Sequence, residues 1–110
     1  MKLITKEIEK AAPPLYSTED VALGDKTVVA KFFDPTGRFT FYMFEYDPGE
    51  RRAFGWCVSP IGSDCDELGY RTIDEMEDAK GAWGLGIERD MYFSPKPFRD
   101  VAHTLEPGRV

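Results

Sequence analysis

Apolar and polar residues alternate most clearly between Arg38 and Tyr46, where Phe39, Phe41 and Met43 interleave with Thr40, Tyr42 and Phe44. A period of two sends successive side chains to opposite faces, so this stretch predicts a strand that is apolar on both. Thr27 to Phe33 is rich in β-branched and aromatic residues and predicts a strand before it. Arg52 to Val58 predicts a third, with Phe54, Trp56 and Val58 on one face. Asp34-Pro35-Thr36-Gly37 and Asp47-Pro48-Gly49-Glu50 stand between them, with Pro in the favoured second position of a turn. Three strands joined by short turns make an antiparallel meander. Leu68 to Arg71 predicts a short fourth strand and Ile87 to Phe93 a last one, closed by Pro95 and Pro97.

The helical pattern is sparser. Leu3 to Ala12 predicts a short helix with Thr5 as N-cap, Ile4 and Ile8 on one face, and Pro13-Pro14 as the stop. Leu15 to Asp25 then reads as a connector packed on the sheet edge. Thr72-Ile73-Asp74-Glu75 spells a capping box and predicts a helix from Ile73 to Lys80, with Gly81 as its left-handed cap. Ile73 and Met76 face inward there, and Glu77 and Asp78 outward. Gly81 to Gly86 predicts a tight loop around Trp83 and Leu85. Phe98 onward predicts a half-turn of helix followed by a flexible tail.

These elements define an α+β fold: an antiparallel meander of three to five strands with two helices packed on one face. A single domain occupies residues 1–110, its ordered core spanning about 3–100. The central strand is apolar on both sides, so the far side of the sheet is expected to stay partly exposed. An exposed aromatic patch of that kind marks a surface for a partner or for self-association.

Composition narrows the chemistry. The 110 residues are 42 % hydrophobic and 14 % aromatic, a globular balance. Lys+Arg 14 against Asp+Glu 20 gives −6, which repels phosphate and argues against direct nucleic-acid binding. The same charge serves solubility, or attracts a basic partner surface. Two cysteines, Cys57 and Cys65, and one histidine, His103, fall short of a four-ligand zinc site. No disulfide framework, signal peptide or membrane span is expected, so a cytoplasmic protein with no metal and no cofactor is expected.

Longer strings add a resemblance. LITKEIEKAAPPLYSTED, VVAKFFDP and the strand ending FEYDP, followed by LGYRTIDEMEDAKGAWGLGIERDMYFSPKPF, cover about Leu3 to Asp100. Together they resemble a small bacterial family known only as a domain of unknown function. Its most specific pieces here are PPLYSTED at 13–20 and GAWGLGIERDMYF at 81–93. The family often carries tryptophans where this chain has Phe39 and Phe41, and proline where Gly86 stands. The resemblance implies cargo of plasmids, integrative elements and phages, among genes that counter host defence. It implies no active site to carry over.

Several constellations bear on function. Asp64, Asp66, Glu67, Asp74, Glu75, Glu77 and Asp78 place seven carboxylates in fifteen positions. They imitate a phosphate ladder that enters a basic cleft, or they form a solvated loop and an ordinary acidic helix start. A calcium loop is excluded by the missing glycine and glutamate spacing. Glu88 and Asp90 share one face of the last strand, with Tyr92 near; they serve a small enzyme or ligand pocket, or a salt-bridged edge. Cys57, between Trp56 and Val58, reads as an inert buried thiol. Cys65, between Asp64 and Asp66, has its thiolate disfavoured by their charge. His103 has no evident partner. Gly81, Gly84 and Gly86 follow a helix instead of opening one, unlike a phosphate loop. Arg38, Arg51 and Arg52 lie near aromatics, as in single-strand stacking, but against a negative total. The leading expectation is a non-enzymatic acidic module that binds a basic, nucleic-acid-handling host complex. A homo-oligomer pairing through its sheet is the structural alternative.

Overall fold

The computed structural model describes residues 2–62, 65–79 and 86–105, the last four as backbone only. Helix α1 (Lys6–Ala11) leads through a connector, with a 3-10 turn at Leu23–Asp25, into β1 (Thr27–Val28) and β2 (Ala30–Phe33). Then come β3 (Thr40–Asp47), β4 (Arg52–Val58), β5 (Glu67–Thr72), α2 (Ile73–Asp78), β6 (Glu88–Arg89), β7 (Lys96–Pro97) and α3 (Phe98–Leu105). The main sheet has five strands in the order β5-β4-β3-β2-β6, and β1 pairs with β7 in a separate two-stranded sheet. All these pairings are antiparallel. The fold is α+β, built on the expected meander β2-β3-β4.

Both turns form as the sequence reads. Asp34 accepts from the Thr36 and Gly37 amides, and the Asp47 carboxylate accepts from the Gly49 amide at 3.1 Å. Arg51 closes the second hairpin at φ 54°, a left-handed conformation that its contacts to α2 hold in place. Among the described residues, Gly55 is the glycine with the least room for a side chain. A Cβ there would sit 2.1 Å from the Tyr42 carbonyl oxygen and 2.9 Å from the Phe41 ring.

The near face of the sheet is mostly aliphatic. Phe32, Phe41 and Met43 are fully buried there, with Leu3, Ile73 and Met76 laid over them. Ile8 packs against the edge of this cluster, so α1 and α2 share the face, as expected. Thr5 Oγ1 accepts from the Ile8 amide at 3.1 Å, and Thr72 and Glu75 complete the capping box at 3.1 and 2.9 Å. Each capped helix is only 6 residues long, so its stability comes from the buried face more than from helix propensity.

The far face corrects several expectations. Phe98 and Val101 of α3 bury against Val28, Tyr42, Phe44 and Val58. The predicted half-turn is therefore an eight-residue helix, driven by an apolar stripe that needs the sheet to pack on. The helix covers the middle of the far face, so exposure is confined to the sheet edge. The predicted strand at 27–33 is two strands, because Val28 turns to the far face while Val29 joins the near core and donates to Met43 O. Helix α1 starts at Lys6, and α2 ends at Asp78 with Ala79 in an extended cap. The Gly81 cap and the Trp83 loop lie outside the described residues. The strand predicted over 87–93 is only β6, two residues long, and the chain turns at Met91 and Tyr92.

Candidate functional site

The acidic stretch does not present its charges together. Asp66 is 1 % exposed at its side chain and holds Arg38 at 2.9 Å, while also accepting from the Ser59 amide at 2.8 Å. It clamps the loop after β4 shut. Glu77, expected to face outward, instead accepts from the Leu3 amide at 3.0 Å and from Arg51 at 3.2 Å. It ties the N-terminal segment to the β3–β4 hairpin. Asp74 shares Arg51 at 2.8 Å but remains 64 % exposed, and Glu75 belongs to the capping box. Glu67 and Asp78 are exposed. The carboxylates facing water are thus Glu67, Asp74, Glu75 and Asp78, three of them on the side of α2 opposite Ile73 and Met76. Asp64 lies outside the described residues.

The arginines are spoken for. Arg38 serves Asp66, Arg51 serves α2, and Arg52 bridges Glu50 at 3.5 Å while lying 5.1 Å over the Tyr70 ring. Its own bond to the Tyr46 hydroxyl, with the Glu77 and Asp74 charges, holds the Arg51 guanidinium above its ordinary pKa. A stacking platform for single-stranded nucleic acid would need these cations turned outward.

Glu88, Asp90 and Tyr92 do not converge. Asp90 pairs with Lys31 at 3.6 Å and caps its own turn by accepting from the Tyr92 amide, while the Tyr92 side chain stands in solvent. A groove of about 500 Å³ between α1 and this turn is lined by Asp90 but by neither Glu88 nor Tyr92. Burial, with the Asp90 charge nearby, pushes the Tyr42 phenol up to about 12. Cys57 is buried and Cys65 exposed, both as free thiols. Cys57 Sγ accepts from Arg71 at 3.4 Å. Among the described residues no three acids, cysteines or histidines gather as metal ligands. His103 falls in α3, where the backbone alone is described, and of the loop glycines only Gly86 is described.

A residue missed in the sequence holds the most concentrated polar network. Glu45 is 2 % exposed and accepts from the Tyr16 amide at 2.7 Å, the Thr18 amide at 3.1 Å and the Thr18 hydroxyl. Buried Lys26 donates to the Thr18 carbonyl and, at 3.1 Å, to its hydroxyl. Strict alternation would put Glu45 beside Phe41 and Met43 on the near face. A bulge between Met43 and Glu45 moves it to pair with Phe54 and face the far side. The one available signal was a lone acid inside an aromatic strand. The network gives PPLYSTED its physical meaning: Pro13 O accepts from Tyr46 N, and Tyr16, at φ 70°, and Thr18 wrap the carboxylate. The described part of the other specific string, residues 86–93, is structural as well, since Arg89 donates to Lys2 O at 2.6 Å and Ile87 is buried.

The far-face rings continue outward from this network. Phe98 meets Phe44 edge-on at 5.4 Å, Phe44 meets Phe54, Phe54 meets Tyr70 at 5.0 Å, and Tyr70 meets Tyr16 at 6.0 Å. The row surfaces along β5, where Tyr16, Leu68 and Tyr70 are 55, 40 and 37 % exposed.

Fold and surface together define a small α+β domain whose distinctive side chains hold the structure together and whose outside offers an acidic helix and an aromatic sheet edge. Residues 3–103 match the family described as Protein of unknown function (DUF2958), and the chain belongs to that family. No curated protein and no solved structure matches the chain. Among the described residues no helix is long and apolar enough to cross a membrane.

Proposed function

We propose that this domain is a non-enzymatic, acidic protein-binding module of a mobile genetic element. Its partner is a basic, nucleic-acid-handling host complex of the restriction or CRISPR type, met in the cytoplasm. The observation that carries the reading is the outward set Glu67, Asp74, Glu75 and Asp78, on a chain of net charge −6. Charges so placed steer a positive surface toward the domain, and salt screens the attraction beyond about 10 Å at 0.1 M. Asp66 and Glu77 of the same stretch serve the fold and are not part of this surface.

The test is inhibition of DNA cleavage by purified restriction and CRISPR nucleoproteins in the presence of the domain. The expected result is protection that rises with domain concentration and weakens as salt is raised. The triple variant Glu67→Gln, Asp74→Asn, Asp78→Asn, which leaves the capping box alone, should lose it. Full cleavage at every domain concentration would count against the reading.

A further inference from the structure

The outer edge of β5 points to a second copy of this chain, and we infer that the domain forms a two-fold dimer by antiparallel β5–β5 pairing centred on Gly69. Strand β5 is an end strand of the main sheet. The Ile73 amide donates to Arg51 O in β4's direction, whereas the Thr72 amide is taken by Glu75. Because antiparallel residues alternate, Glu67, Gly69 and Arg71 bond to β4. Leu68 and Tyr70 therefore aim their amides and carbonyls away from the sheet. Among the described residues, this outward row meets only the Arg71 guanidinium, at Tyr70 O.

The strand sequence ELGYRT is self-complementary about its glycine. In that register Leu68 faces Tyr70 of the second copy in both directions, giving four backbone hydrogen bonds and an apolar contact of two half-exposed side chains. Glu67 stands opposite Arg71 of the second copy, a pair of opposite charges, and again in both directions. Gly69 faces itself in the closer, non-hydrogen-bonded kind of pair, where the Cα atoms approach to about 4.5 Å. Nothing among the described residues requires that glycine. A Cβ at Gly69 would meet no atom within 4 Å, whereas its β4 partner Gly55 has no room at all. Glycine inside a strand weakens it unless another backbone must come close. This dimer shares Glu67 with the acidic surface but uses none of the α2 carboxylates, so Gly69→Cys cross-linking tests it apart from the acidic reading.

Sedimentation and light scattering over a concentration series test it on the full chain. The expected result is a rise from 12.5 kDa toward twice that mass. Glu67→Arg should raise the midpoint concentration roughly tenfold by placing like charges opposite, and adding Arg71→Glu should restore it. In a Cys65→Ser background, Gly69→Cys should cross-link to itself on mild oxidation, with circular dichroism confirming the fold of each variant. A wild type that stays monomeric to about 1 mM would overturn the inference. So would a dimer indifferent to Glu67→Arg, or a folded Gly69→Cys protein that does not cross-link.

Discussion

The two faces of the main sheet are covered by different means. The near face is sealed by α1 and α2, each begun by a threonine cap and each contributing side chains three or four positions apart. The far face is sealed by α3, whose Phe98 and Val101 come from the other end of the chain, and by aromatic rings on β3 and β4. It also buries a charged network, Glu45 with Lys26, that the near face lacks among its buried residues. A face closed by short, locally specified elements loses little when one contact is weakened. A face closed by a terminal helix and a buried carboxylate depends on a few distant contacts, and is the one that should open first.

Three changes probe that difference, in falling order of effect. Phe98→Ala removes the ring that meets Tyr42, Phe44 and Trp56, and should cost about 3–5 kcal/mol in urea unfolding. Hydrogen exchange should show α3 losing protection while the β3–β4 ladder keeps it; equal loss at α2 would break the comparison. Glu45→Gln keeps the size but replaces one acceptor oxygen with an amide that faces the donors from Tyr16 and Thr18. It should cost about 1–3 kcal/mol, visible as a lower Tm. The smallest effect concerns alkaline pH. The Tyr42 phenol is held up to about 12 in the fold against an ordinary 10.0. Above pH 10 the unfolded chain gives up this proton while the folded chain keeps it, so stability falls as pH rises from 10 toward 12. The slope for one proton is at most about 1.4 kcal/mol per pH unit. Tyr42→Phe should flatten it, leaving the part due to Tyr46, whose burial moves it the same way. An unchanged urea midpoint between pH 9 and 11 in the wild type would refute this assignment.

The candidate site was only half legible for the same reason. Asp78 could be placed on the outer side of α2 from spacing alone, because Ile73 and Met76 fix which side is inward. Spacing also sent Glu77 outward, and it failed there because the Leu3 amide and Arg51 arrive from elsewhere in the chain. Asp66 likewise reads as one more surface acid until Arg38 is folded against it. The aromatic edge at Tyr16 and Tyr70 needed the connector to be laid beside β5, which no periodicity announces.

What the chain determined by itself are its meander, its two turns and its two helix caps. Each of these is set by residues within a few positions of one another, where backbone preference and side-chain period act directly. Tertiary structure alone decided the rest: the split of the first strand between two sheets, the bulge that carries Glu45 across the sheet, and the helix α3. Each of those exists because an apolar stripe or a carboxylate finds partners far away in sequence, and a local pattern holds no information about where those partners will stand.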